Sequence, residues 1–333
     1  MEEHPQKSKK MNEGSYGCVY TPPLPCKDSK AEKDSTIGKV MDRKDASIEL
    51  AMSIVLRGIP GWQRYYILQK EDGCTRENFT RMRSTYSPGC KIYSEEKNAE
   101  LTQILSRYGG TTLNKMRFTP SFDYIGALRH VLEGVERLNK QGICHNDIHE
   151  RNIVVDENGT FRLIDFGHSF FGDSVTQDTA DRYSFSFTPE YEPQPPELSV
   201  QNGIVQKYPA SLFYMIEQSI EKKQTLLKAQ TLLGLMEEDQ IYSLRDYWSH
   251  SETALKEDWV SFYKQYWKTW DAWAVGIVFV KLLDQVMRLT QFQKQVWEKH
   301  GRILRDVLRG LLQANPKKRF TAAKALEILA TLS

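Results

Sequence analysis

The sequence predicts an α+β fold in two lobes: a small β-rich lobe with one helix, then a larger helical lobe. Three observations support this. Short strand-forming runs broken by glycine and proline fill the N-terminal third, and helical apolar periodicity dominates from Phe122 onward. The 333 residues, 40% apolar and 26% charged, are enough for two cores. The expected division is 1–105 for the first lobe, 106–112 for a hinge and 113–333 for the second, with an inserted helical segment at about 198–269.

Bulk composition excludes several classes. The net charge is +2, so nothing calls for nucleic acid or an anionic membrane surface, and Lys7, Lys9 and Lys10 read as a solvated basic arm. No apolar segment of signal-peptide type opens the chain, and the longest apolar run, 273–283, is too short to span a bilayer and reads as a buried helix. Cys18, Cys26, Cys74, Cys90 and Cys144 are odd in number and contain no C-x-x-C pair, which predicts free thiols in a reducing, cytoplasmic compartment. A zinc site from Cys26, Cys74 and Cys90 is disfavoured because no paired ligands frame it.

In the first lobe, Gly14, Ser15, Tyr16 and Gly17 form a turn that runs into the strand formers Cys18, Val19 and Tyr20. Glycines three apart suit a hairpin lying over phosphates, since a missing Cβ permits close approach. A proline-rich break and a charged stretch follow, then a short apolar strand, 37–41, carrying Lys39. Such a lysine ordinarily snorkels to solvent; behind a glycine hairpin it suits phosphate neutralisation instead. Residues 45–56 have helical periodicity and present Glu49 as the partner of Lys39, and Glu32 is the poorer choice because it precedes the lysine. The closeness of Glu49 to Lys39 predicts a short helix entry. Residues 65–69 and 100–105 read as the remaining strands, and 106–110, with Ser106 and Tyr108, as the connection where an adenine ring meets backbone groups.

In the second lobe, 122–139 reads as a core helix that delivers the chain to a loop, 145–152. Two β-rich runs around Asp156-Glu157-Asn158-Gly159 predict a hairpin, after which come Asp165, Phe166 and Gly167. Asp147, Asn152 and Asp165 stand in the order and spacing that phosphoryl transfer from Mg-ATP requires. Asp147 accepts the proton of an attacking hydroxyl, and Asn152 and Asp165 offer oxygen ligands to Mg²⁺, or to Mn²⁺. His145 reads as a core histidine that orders the loop.

Gly14/Gly17, Lys39, Glu49, Asp147, Asn152, Asp165-Phe166-Gly167 and Pro195-Pro196-Glu197 together resemble the eukaryotic-type protein kinase family, and Asp271-Ala272-Trp273 and Arg319 extend the resemblance over nearly the whole chain. It implies a two-lobed protein-kinase-like fold, ATP and a divalent metal as cofactors, and a protein substrate phosphorylated on serine or threonine. It also implies a Glu197–Arg319 pair, Asp271 bonded to the backbone of the catalytic loop, and contact of Thr188 with the catalytic aspartate. Asn12 stands in place of the first glycine, and Asn146 in place of an arginine that receives activation-loop phosphate. His149 replaces the γ-phosphate lysine, a role open to His149 or Arg151. The stretch Gly14 to Cys26, followed by Gly38-Lys39-Val40-Met41, also resembles kinases encoded by large DNA viruses, which would place the protein in host cytoplasm or virion.

The segment 198–269 is longer than the family's usual connection. Residues 226–236 and 259–270 read as helical, and Trp248, Trp259, Trp267 and Trp270 serve either as packing anchors or as a docking surface for a substrate or regulator. Helices over 303–312 and 321–332 close the chain, with Thr321 as N-cap and no further domain expected. Two other functions fit parts of the pattern. Asp147-Ile148-His149 resembles aminoglycoside and choline kinases, which phosphorylate small molecules, and the substitutions at Asn12, Asn146 and His149 suit a non-catalytic binding module.

Overall fold

The computed structural model of the protein describes residues 8–14, 17–24, 36–70, 74–75, 90 and 101–332. The chain divides into two compact units, 1–110 with 164–168, and 111–163 with 169–333.

In the first unit, β1 (Lys9–Gly14), β2 (Gly17–Thr21), β3 (Thr36–Asp42), β4 (Cys74–Thr75) and β5 (Leu101–Arg107) form an antiparallel sheet in the order β1-β2-β3-β5-β4. Lys9 and Lys10 belong to β1, opposite Thr21 and Tyr20, rather than to a solvated arm. Backbone pairing decides their conformation, and a strand edge leaves room for their charged ends. Helix α1 (Arg43–Arg57) starts directly after β3. Asp42 caps it, its carboxylate accepting from the Lys44 N–H at 2.8 Å, a contact that stabilises a helix by ~1 kcal/mol. The absence of a connecting loop is what lets Glu49 reach Lys39 from so near in sequence.

Two further expectations fail in this unit. Residues 65–69 form no extended strand, only isolated bridges at Tyr66 and at Gln69, the latter to Ser106, although Tyr65, Tyr66, Ile67 and Leu68 are all buried. An unbroken apolar run signals burial and does not by itself specify strand. Cys18 and Cys90 are joined by a disulfide rather than free. Spacing rules do not detect a pair that folding brings together across 72 residues. With Cys90 committed to Cys18, and with Cys26 and the side chain of Cys74 outside the described residues, the three-cysteine zinc set has no structural support. Cys144, in the second unit, is buried and free.

The second unit begins with β6 (Thr111–Thr112), helix α2 (Tyr124–Lys140), β7 (Ile143–Cys144), β8 (Ile153–Val155), β9 (Phe161–Leu163) and β10 (Phe170–Phe171). β6, β8 and β9 form one small sheet, and β7 pairs with β10. The β8–β9 turn closes through Asp156, which accepts from the Asn158 and Thr160 N–H groups, with Gly159 at φ 77°. Further helices follow: α3 (Pro196–Val205), α4 (Leu212–Glu221), α5 (Gln224–Leu233), α6 (Glu237–His250), α7 (Trp259–Tyr266), α8 (Trp270–Val286), α9 (Glu298–Leu311) and α10 (Ala322–Leu329).

Helix α8 is apolar nearly all round and accordingly central, with almost every side chain from Trp270 to Val286 buried. The Tyr124 hydroxyl donates to the Phe279 carbonyl at 2.7 Å and ties α2 to it. Trp248, Trp259, Trp267 and Trp270 are interior, and Trp248, Trp259 and Trp270 make edge-on or tilted ring contacts with Tyr247, Phe262 and Tyr263. They pack the 198–269 segment onto the unit, which removes them as surface docking anchors. Thr321 caps α10 through the Lys324 N–H, as expected. No helix among the described residues is long and apolar enough to cross a membrane.

Candidate active site

The first unit assembles one group of charges. Lys39 sits mid-strand on β3, opposite Val19 of β2 and Ile104 of β5. Its ammonium lies 2.8 Å from Glu49 Oε2 and 2.9 Å from Asp165 Oδ1. Burial works against the ammonium, but the two carboxylates outweigh it and hold Lys39 above the ordinary lysine range. Glu49 is itself buried, which pushes its carboxyl upward. Lys39 and the Gln69 amide, donating at 2.7 Å to Oε1, act in the opposite sense. Asp165 adopts φ 65°, a left-handed conformation rare outside glycine and frequent at functional sites. Phe166 packs edge-on against Tyr66 at 5.6 Å.

Gly14 and Gly17 face each other at the end of the β1–β2 hairpin, and Ser15 and Tyr16 between them lie outside the described residues. A Cβ at Gly17 would collide with the Val40 carbonyl oxygen, so only glycine brings β2 this close to β3. Ser106 is a buried β5 residue paired with Ile37, so the strand continues into the stretch expected as an irregular connection. Tyr108, just past the strand, is exposed.

The second unit holds the loop between β7 and β8 by its backbone. Asp271, buried at the start of α8, accepts from the His145 N–H at 2.7 Å and the Asn146 N–H at 2.9 Å. Burial raises the Asp271 carboxyl pKa, and these donated hydrogen bonds oppose the rise. Asn146 has φ 62°, a geometry asparagine accepts more readily than most residues. His145 is fully buried and accepts the Asp147 N–H at Nδ1, so it orders the loop as expected. The Asn152 amide donates to both the Asp147 carbonyl and Asp147 Oδ2, at 2.9 and 2.8 Å. His149 places Nε2 at 3.7 Å from Asp147 Oδ2 and accepts the Arg151 N–H at Nδ1, while the Arg151 side chain is exposed.

The loop before α3 brings an unforeseen residue to this site. Thr188 donates its hydroxyl to the Ser186 carbonyl, whereas the Tyr191 hydroxyl donates to Asp147 Oδ1 at 2.5 Å. The expected threonine contact is therefore replaced by a tyrosine from the same short motif. Lys223 and Lys281 also escaped sequence reasoning. Lys223 lies in the run Glu221-Lys222-Lys223-Gln224, which looks like solvated surface, yet it is wholly buried. Behind the loop, Arg319 grips Glu197 through both terminal guanidinium nitrogens at 2.7 and 2.6 Å, a fully buried bidentate pair.

Comparison with known proteins follows the same outline. The family model described as protein kinase domain matches residues 6–208. Over 126 residues the chain is 32% identical to CBL-interacting serine/threonine-protein kinase 15 of Arabidopsis thaliana, covering 38% of this chain and 28% of that protein. Over 76 residues it is 33% identical to probable serine/threonine-protein kinase mkcD of Dictyostelium discoideum, covering 22% and 12%. Over 90 residues it is 32% identical to dual specificity protein kinase zak2 of the same organism, covering 25% and 13%. The chain thus spans less than a third of the length of these relatives.

Proposed function

Because the chain belongs to the protein kinase domain family, whose model matches more than half of it, we propose that it phosphorylates serine and threonine hydroxyls of protein substrates with ATP. The observation that carries this reading is the Lys39 ammonium held between Glu49 and Asp165, a fixed cation of the kind that neutralises nucleotide phosphates. Asp147 is the base that orients the acceptor hydroxyl and takes its proton. Gly14 and Gly17 lie on the hairpin that covers the phosphates, with Val19 beside the nucleotide, and Ser106 and Tyr108 mark the stretch that meets the adenine. His149, beside Asp147, is favoured over the exposed Arg151 as the group nearest the transferred phosphate.

Asp165 and Asn152 are the proposed ligands for Mg²⁺ or Mn²⁺. The chemistry of the donor set fits: both hydrogen bonds of the Asn152 amide use its nitrogen, so its carbonyl oxygen is the end left for a hard cation. The metal, when bound, supplies charge neutralisation at the phosphates. Catalysis by the chain's own residues is then alignment of the hydroxyl and transfer of its proton to Asp147.

The Glu197–Arg319 and Asp271 arrangements favour protein over small-molecule acceptors. Labelled γ-phosphate transfer to basic and acidic protein substrates tests this, with Asp147→Asn as control. Phosphoserine or phosphothreonine that disappears in the variant is the expected result. Undiminished transfer by Asp147→Asn, or label on amino alcohols and sugars with none on protein, overturns it.

A further inference from the structure

We propose that Tyr191 is the positioning residue for the Asp147 carboxylate, and that Lys223 holds the loop that carries it. This rests on the reading of Asp147 as the base. Lys223 lies beyond residue 208, where the family match ends, so the brace comes from the part of the chain that the match leaves unassigned.

A carboxylate on a single χ2 torsion rotates broadly unless both oxygens are engaged. Here Oδ1 accepts from Tyr191 at 2.5 Å and Oδ2 from Asn152 at 2.8 Å. A hydroxyl donating to a carboxylate at this distance makes a strong, charge-assisted hydrogen bond. The Tyr191 ring is 39% exposed, and its hydroxyl has a defined partner in the Asp147 carboxylate.

The backbone on both sides of that ring is pinned from behind. Lys223 Nζ donates to the Pro189 carbonyl at 3.2 Å and the Tyr191 carbonyl at 2.8 Å. Burying an amine is unfavourable unless its hydrogen bonds are met, and these two carbonyls meet them. The next residue, Glu192, is held three ways: its carboxylate accepts from the Thr225 N–H and pairs with Lys281, and its carbonyl accepts from Trp273 Nε1. Lys281 also pairs at 2.8 Å with Glu150, on the loop that carries Asp147. The two loops therefore share one cation, Lys281, and the backbone of Tyr191 is held by Lys223 independently of the hydroxyl that meets Asp147.

The experiment compares Tyr191→Phe, Lys223→Met and the double variant in the full chain, using Mg-ATP and a basic serine/threonine peptide, with Asp147→Asn as control. Tyr191→Phe should lower kcat by ~10- to 100-fold while leaving KM for ATP and the melting temperature unchanged. The double variant should be no slower than the slower single variant, because both act through one loop. Independently of turnover, Lys223→Met should accelerate chymotryptic cleavage after Tyr191. Unchanged or increased kcat in Tyr191→Phe, with Asp147→Asn inactive, overturns the role of Tyr191 and leaves the kinase reading standing. Additive losses, or unchanged cleavage, overturn the role of Lys223. Full activity of Asp147→Asn removes the base itself, and the proposal with it.

Discussion

In the first unit the candidate site residues hold one another, Lys39 lying against both Glu49 and Asp165. In the second, Asn152 and Tyr191 bond the Asp147 carboxylate, and further groups hold it from outside: Asp271 fixes the backbone before it, and Lys281 and Lys223 act on the loops around it. A site of the first kind depends on a few charges in direct contact. One of the second kind depends on buried groups distant in sequence, so damage far from the chemistry should reach it.

The largest test of that difference is Arg319→Met. Removing one partner of a fully buried ion pair typically costs about 3–5 kcal/mol, because the other charge is left uncompensated. Urea unfolding should show a loss of that size for Arg319→Met, and a clearly smaller one when Glu197→Leu is added. Equal losses would mean that the pair does not hold this unit together.

The first unit has its own covalent restraint. A disulfide closing a 72-residue separation is worth ~4 kcal/mol through the restricted unfolded chain. Reduction, or Cys90→Ser, should lower the first unit's stability by roughly that amount and leave amide-exchange protection in α8 unchanged. Loss of protection in both units alike would break the contrast.

A smaller effect depends on pH. Burial lowers the Lys223 pKa from 10.5 to about 7, with Glu192, Glu197 and Glu190 opposing the shift and Arg319 adding to it. Between about 7 and 10.5 the unfolded chain binds a proton that the folded chain has released. The penalty for burying this lysine is therefore full below pH 7 and fades as pH rises. Relative to Lys223→Met, the parent should gain stability across this window, at a slope of at most ~1.4 kcal/mol per pH unit. A flat difference between the two proteins, measured by denaturant unfolding, would contradict a buried, neutralising Lys223.

Much of the candidate site was legible in the sequence. Lys39, Glu49, Asp147, Asn152 and Asp165 could be named because each role demands one residue type at a short, ordered spacing. Tyr191 was half legible: the motif 188–191 drew attention, but which of its hydroxyls turns toward Asp147 depends on how the loop is pinned. Lys223 was not legible, since a lysine among charged residues looks solvated until the carbonyls of Pro189 and Tyr191 meet it in the interior. Glu197 and Arg319 were paired only through resemblance to a family.

By itself the sequence determined what is local: the α+β character, helix α1 against its strand, the β8–β9 hairpin and the ordered carboxylates of the candidate site. Hydrophobic periodicity and turn chemistry act over a few residues and leave their pattern in the order of the chain. Only the tertiary structure decided that Cys18 meets Cys90, that residues 65–69 are buried without forming a strand, that four tryptophans face inward, and that Lys223 holds the loop of Tyr191. Each of these depends on which distant surfaces exclude water together, and chain order does not encode that distance.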